Sequence, residues 1–417
     1  MSLKDSLAFS STDEEKKKAF DSFLSLDFPT IKNEEWKFTN VSKIIKNDFK
    51  STEGSIDDSI VEKLLENGIE GDKIVLINGI FSKKLSRISN QVCEIKSLNE
   101  AVSNNATIFS KWYNKILPKN PDAFTSLNTA MNKDGVFIYI PKNKTATSPI
   151  SIHLFQDAQA QHTISHPRNL IYADENSEAT VLNFYHTIGT NKSLINEVTE
   201  IGVEKDARLN YYKIQNDTIE ASQVNTTQVY QAEKSLFKSH TFSLSGELIR
   251  NNLNIVLGGE YIESHMNGLY MLEGTTHVDN HTIADHQYPN CESHELYKGV
   301  MDEKSNGVFN GKIFVRKDAQ KTNAFQSNKN ILLSDLAKVN TKPQLEIWAD
   351  DVSCSHGCTT GQLDEEALFY LMARGISAPK AKALLLNAFA GEVLDRISLP
   401  ILKEQLESII IDRLQKV

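Results

Sequence analysis

Ala179-Thr-Val-Leu-Asn-Phe-Tyr185, Ala207-Arg-Leu-Asn-Tyr-Tyr212 and Val308-Phe-Asn-Gly-Lys-Ile-Phe-Val315 are short runs of β-branched and aromatic residues, each opened by charged or glycine-containing punctuation. Val136-Phe-Ile-Tyr-Ile140 is another, and such runs fill the block from about Val136 to Val352. Residues branched at Cβ and flat rings suit a pleated surface, and each run has strand length. No helical periodicity holds across the block. A polar turn followed by a small or apolar opener recurs at Ala179, Ala207, Ser235, Tyr261, Ile283, Val308 and Ala337, at intervals of 28, 28, 26, 22, 25 and 29 residues. A repeat of that size suits a coil in which each turn supplies strands to parallel sheets. One turn cannot bury its own inner face, so neighbouring turns must stack. The expected form is a right-handed parallel β-helix. A β-sandwich also strings short strands between turns, and the spacing alone does not separate the two.

The flanks read differently. The first stretch, residues 1–135, is mostly helical in pattern. Thr12-Asp13-Glu14-Glu15 is a helix start, because a side-chain oxygen ahead of acidic residues satisfies free amides and suits the helix dipole. Phe20, Phe23 and Leu24 then share one face. Asp72-Lys-Ile-Val-Leu-Ile-Asn-Gly79 reads as a buried strand ending in a turn. The β block is taken as 136–361. Residues 362–417 return to helix, with Gly375 at a C-terminal cap and Ser377-Ala-Pro379 restarting the chain with proline in a first turn.

The chain has 417 residues, 40% hydrophobic and 24% charged, enough to bury a sizeable core. Its 45 basic and 54 acidic side chains leave a formal charge of −9, which argues against a nucleic-acid backbone as partner. The N-terminal stretch is polar and lacks the apolar segment of a secretory signal. No apolar run approaches the roughly 20 residues that span a bilayer. Four cysteines, Cys93, Cys291, Cys354 and Cys358, are too few for a disulfide framework and fit a reducing cytoplasm.

The densest group of chemically active side chains is Asp350-Asp351-Val352-Ser353-Cys354-Ser355-His356-Gly357-Cys358. Thiolate and imidazole bind iron and zinc. Cys354, His356 and Cys358 lie two apart, so on an extended strand all three point to one face. Two cysteines and one histidine are too few for a closed four-coordinate site. Any metal held here would be transient or shared with another chain. The same pattern also fits a strand end with two small buried thiols. His265, His277, His281, His286 and His294, near Cys291, follow no metal-binding spacing and read as structural or surface residues. There is no phosphate-binding P-loop and no nucleophile elbow.

Thr322-Asn-Ala-Phe-Gln-Ser-Asn-Lys-Asn-Ile-Leu-Leu-Ser-Asp335, Pro343-Gln-Leu-Glu-Ile-Trp-Ala-Asp-Asp-Val352 and Cys354-Ser-His-Gly357 resemble the SufB/SufD family of iron–sulfur cluster assembly proteins. Tyr370-Leu-Met-Ala-Arg-Gly-Ile376 and Ala383-Leu-Leu-Leu-Asn-Ala-Phe-Ala-Gly-Glu-Val393 match its C-terminal helices, and His166-Pro-Arg-Asn169 its first coil turns. Glu35-Trp36-Lys37-Phe38-Thr39 is similar to an N-terminal family motif. The Cys-Ser-His-Gly run, the modest length and the lack of a cysteine around Gln326-Ser-Asn328 favour the SufD side. The resemblance implies a parallel β-helix flanked by helices. It implies a scaffold without chemistry of its own, pairing with SufB through the β-helices and docking a SufC ATPase on residues 362–417. It also implies iron and a transient iron–sulfur cluster at the SufB interface, with His356 as first ligand, Cys354 matching a family cysteine and Cys358 departing from the pattern. A homodimer in isolation is compatible. The readings from other classes are a β-helix carbohydrate-active enzyme and a stand-alone metal-binding protein.

Overall fold

The computed structural model describes residues 3–7, 9–66, 68–89 and 92–414. Met1, Ser2 and Ala8 of the N-terminal stretch and residues 415–417 lie outside them. The centre of the chain is a parallel β-helix flattened into two ten-stranded sheets. Successive strands alternate between them. Sheet I carries Asp72–Ile77, Ile150–Ala158, Glu178–Gly189 and then one strand per turn to Val352–Gly361; sheet II runs from Val136–Ile140 to Lys338–Ile347. Among the described residues the strands pair parallel except at the start of the coil, where Ile80–Phe81 on Asp72–Ile77, Glu94–Ser97 on Val136–Ile140 and an isolated bridge between Lys73 and Arg87 are antiparallel.

The register fixes the true repeat. Ala179, Leu209, Phe237, Ser264, Ser293, Ala324 and Cys354 are successive partners in sheet I, 27 to 31 residues apart. The openers at Ala179, Ala207, Ser235 and Tyr261 belong to sheet I, whereas Ile283, Val308 and Ala337 belong to sheet II. The short 22-residue interval is the point where the spacing slips from one sheet to the other. Each turn contains two strands of similar composition, so their openers look alike in sequence.

Alternation along each strand sends one row of side chains into the coil and the other outward. Val181, Tyr211, Phe237, Met266, Tyr270 and Tyr297 fill the interior from sheet I, and Ile201, Ile255, Val278 and Phe309 face them from sheet II. Both outer faces carry a cover, which on sheet I stops short of the row from Lys238 to Phe325. The helix Glu14–Leu26, capped by the Asp13 carboxylate on the amides of Glu15 and Lys16, packs with Phe28, Trp36 and Phe124 over Leu194, Val224 and Leu248 of sheet II. The helices Ala378–Leu394 and Pro400–Leu414 lay Leu386, Val393, Leu406 and Ile410 over Leu182, Phe242, Leu269 and Val300 of sheet I. Leu24 of the expected apolar face stays exposed, because Phe20 and Phe23 carry the contact.

The Glu35–Thr39 motif is the clasp of the N-terminal cover. The Arg250 guanidinium lies 4.4 Å from the Trp36 ring centre, donates to the Glu35 carbonyl at 2.8 Å and pairs with buried Asp279. Thr39 donates to Asp279 and sits 2.9 Å from His277. Glu35 meets Lys312 at 2.6 Å and His281 at 3.4 Å, and these partners hold its carboxyl down at about 2 against its burial.

The His166–Asn169 motif anchors the first turns. Arg168 and Glu200, each 0% exposed, pair at 2.6 Å; the guanidinium also reaches Asn128, Thr129 and Asn114 and lies over the Tyr113 ring. Asn169 accepts from the Val136 amide and donates to Glu197. Removing one partner of a buried pair leaves the other charge without compensation. Arg168→Ala should lower the unfolding free energy by about 3–5 kcal/mol in a urea titration followed by circular dichroism. A loss under about 1 kcal/mol would mean that this network does not hold the first turns.

Candidate functional site

The last strand of sheet I, Val352–Gly361, pairs in register with Thr322–Leu332: Cys354 opposite Ala324, His356 opposite Gln326 and Cys358 opposite Asn328. The three partners are buried members of the inward row, and Val352 and Cys354 pack against the interior cluster. Cys354, His356 and Cys358 therefore share one face, the one that looks along the inside of the coil. No further turn stacks on them, because the chain leaves through the helix Glu365–Ala373. Cys354 is half-buried, and His356 and Cys358 are exposed. Asp350 and Asp351 lie in the turn before this strand.

Residues two apart on a strand stand roughly 6.6 Å apart, so Cys354 and Cys358 at the two ends of the row stand about 13 Å apart, whereas the ligands of one ion all lie about 2.0–2.3 Å from it. The row is therefore too open for one ion. Among the described residues no group of three or more His, Cys, Asp or Glu side chains is placed to hold a metal. What the strand offers is a line of donors along an uncovered edge. Burial pushes the Cys354 thiol up, so forming its thiolate calls for a positive partner. One turn below, Gln326 donates to Glu295 at 2.6 Å inside the coil, and burial pushes that carboxyl up to about 7. Cys291 is buried against the Gly259 carbonyl, and burial lifts its thiol to about 11; Cys93 is buried too. Neither belongs to the edge.

The histidines that lie close in sequence separate in space. His277 and His281 serve the N-terminal clasp, and His286 faces inward, 2.9 Å from Ser293. His265 and His294 stack on the outer face of sheet I at 5.3 Å. They are one turn apart in register, which the true repeat would have exposed in the sequence. Glu295, one of two acids in Glu292-Ser-His-Glu-Leu-Tyr-Lys298, gave no signal of its position.

The C-terminal helices present a second open feature. Glu365–Ala373 buries none of its residues, and Phe369 and Tyr370 are 72% and 58% exposed. Between Ala378–Leu394 and Pro400–Leu414 lies a groove of about 530 Å³ lined by Pro379, Ala383, Leu384, Ile411 and Leu414.

Residues 155–389 match the model of the SUF system FeS cluster assembly SufBD core domain, and residues 4–152 that of the SufBD protein N-terminal region. The chain belongs to the SufBD family. It is 31% identical to an iron–sulfur cluster assembly SufBD family protein of Synechocystis, over 92% of this chain and 86% of that one. It is 29% identical to the iron–sulfur cluster assembly protein SufD of Escherichia coli, over 92% and 88%. A chloroplastic protein of Arabidopsis, ABCI7, is 27% identical over 90% and 80%. The SufBD core match begins inside the strand Ile150–Ala158 and ends inside the helix Ala378–Leu394, so it contains the whole exposed edge.

Two measurements follow from this geometry. In a timed alkylation of the native protein read by mass spectrometry, Cys358 should react first, Cys354 more slowly, and Cys93 and Cys291 only on unfolding; equal rates would contradict the placement of the edge. The native Glu295 carboxyl keeps a proton that the unfolded chain has released between its ordinary value near 4.5 and about 7. Its contribution to stability is therefore present below that window and lost as the pH rises through it. Glu295→Gln should gain on the wild type by on the order of 2–3 kcal/mol from pH 4.5 to 8. Parallel stability curves for the two proteins would place Glu295 in water.

Proposed function

We propose that this protein is a non-catalytic scaffold subunit of a Suf complex, pairing with a SufB homologue at the open end of its coil and with a SufC ATPase at its C-terminal helices. The observation that carries this reading is the uncovered last turn. Its strands, Lys338–Ile347 and Val352–Gly361, keep free edges, and an unpaired strand edge is a template for another chain. Cys354, His356 and Cys358 are aligned on the same edge. Donors too widely spaced to close around one ion become useful when a second chain brings its own. An iron–sulfur cluster built between two half-sites can leave when they part, which suits a cargo rather than a resident cofactor. His356, exposed and able to bind as a neutral imidazole, is the first iron ligand of this half-site; Cys354 and Cys358 flank it.

The division of labour follows the same logic. Residues 1–135 cover sheet II and supply the first strands of the coil, residues 136–361 form the rest of it, and residues 362–417 receive the ATPase. The exposed aromatic face of Glu365–Ala373 and the neighbouring groove support that docking. The inner parts of the same helical region are fixed to sheet I by Leu386, Val393 and Leu406. Movement of a docked ATPase would thus be passed to the coil as a rigid-body displacement. ATP hydrolysis belongs to the partner.

Co-expression with SufB and SufC of the same organism tests this reading. Wild type and His356→Ala should both assemble, with iron or cluster content falling several-fold in the variant alone. Failure of the wild-type chain to assemble with either partner would overturn the proposal.

A further inference from the structure

The outer face of sheet I carries a polar cavity that the scaffold role does not use. It has a volume of about 400 Å³ and is lined by Lys238, His240, His265, Asn267, His294 and Arg396. Register explains how these residues meet. Lys238, His265, His294 and Phe325 occupy the same position in four successive turns, and His240 and Asn267 pair one step along. The rings of His265, His294 and Phe325 form a ladder, with centres 5.3 and 5.7 Å apart. Arg396 reaches in from the link between the helices Ala378–Leu394 and Pro400–Leu414 and donates to Asn267 at 3.0 Å.

Two features mark this as a binding site rather than a packing fault. His240 is 1% exposed, stacked on Tyr212 at 4.6 Å, and neither of its ring nitrogens has a hydrogen-bond partner. A buried polar group without a partner is costly, and here the ring that carries two such atoms lines a cavity. The Lys238 ammonium makes no ion pair or hydrogen bond among the described residues, so a cation beside the same cavity has no paired counter-charge. Burial, with Lys238 and Arg396 nearby, holds the His240 imidazole down at about 3, so at neutral pH the ring is neutral and offers one N–H donor. Two cations in the lining disfavour a metal ion, and among the described residues no three His, Cys, Asp or Glu side chains are placed to hold one. Glu263 and Glu292 hold the far edges of His265 and His294, at 2.6 and 3.6 Å, and are half exposed at the rim. The remaining requirement is negative charge with several acceptor oxygens.

We propose that this cavity binds a phosphate group, either inorganic phosphate or the phosphate of a small organic monoester. Lys238 and Arg396 supply charge and His240 a hydrogen bond. Guanidinium and ammonium groups beside a neutral donor are the usual means of holding such an oxyanion. The volume lies within the range of small-molecule sites and exceeds what a bare phosphate fills, leaving room for an organic portion. The proposal stands independently of any partner subunit, since every lining residue belongs to this chain.

Calorimetry on the full chain at constant ionic strength, with inorganic phosphate, AMP and adenosine as probes, tests it. Inorganic phosphate should bind saturably and adenosine should not. AMP binding would assign the site to a monoester, and its failure to bind would restrict the site to inorganic phosphate; both uphold a phosphate site. Lys238→Gln, at a partly exposed position without partners, should weaken binding about tenfold or more. His240→Phe, which keeps the stack on Tyr212 and removes both nitrogens, should weaken it as well. Absence of saturable phosphate binding, affinity unchanged in both variants, or adenosine binding as well as AMP would overturn the proposal.

Discussion

Stacking of one turn on the next is the interaction from which the other features of this protein follow. A single turn of the coil has an inner face it cannot bury and strand edges it cannot pair. Each turn in the middle is completed by two neighbours. The register from Ala179 to Cys354 keeps its inward alternation apart from one irregularity, at Gln215–Asn216 where the strand Arg208–Asn216 ends. That is why Tyr211, Tyr270 and Tyr297 come to lie in one interior beside Asn and Gln side chains that bond to one another across turns, as Asn251 does to Asn280 at 3.0 Å. The same rule leaves the final turn unfinished. Exposure of His356 and Cys358 is a consequence of position, since their register partners one turn below are fully enclosed.

The two outward faces pose a second problem, since flat sheets of this width expose apolar rows on both sides. The two ends of the chain solve it separately. The N-terminal region closes over sheet II through aromatic packing and a charged clasp centred on Arg250 and Asp279. The C-terminal helices close over sheet I through leucine and valine side chains, reinforced where Lys298 donates to the Phe389 carbonyl at 2.9 Å and Arg413 to that of Leu244 at 2.6 Å. The cover on sheet I is incomplete along the row from Lys238 to Phe325. The polar cavity lies there because histidine and lysine occupy the outward row where leucine and valine stand nearer the helices.

Much of this was legible in the residues. Strand-length β-branched runs at intervals of 22 to 29 residues fit a stacked coil or a sandwich, and the family motifs decided for the coil. The caps at Asp13 and Gly375 were readable for an equally local reason: the preference of a carboxylate for free amides, and of glycine for a positive φ. The interval itself was misjudged, because the openers of the two sheets are chemically alike and only hydrogen-bonded register tells them apart. Family motifs marked Glu35–Thr39 and His166–Asn169 without revealing their tasks. Both turn out to be anchors whose partners, Asp279 and Glu200, lie far along the chain or on a neighbouring turn.

By itself the sequence determined a block of short strands between helical ends, with Cys354, His356 and Cys358 on one face of an extended strand, because strand periodicity and the alternation of side chains are local properties; the choice of a stacked coil over a sandwich came from the family motifs, not from the spacing. Only the tertiary structure decided that this face lies at the uncovered end of the coil, that the scattered histidines divide among a clasp, an interior and an outer cavity, and that Glu295 is buried beneath the edge. Those outcomes depend on which residues fall one turn apart, and small differences in turn length between strands set that register.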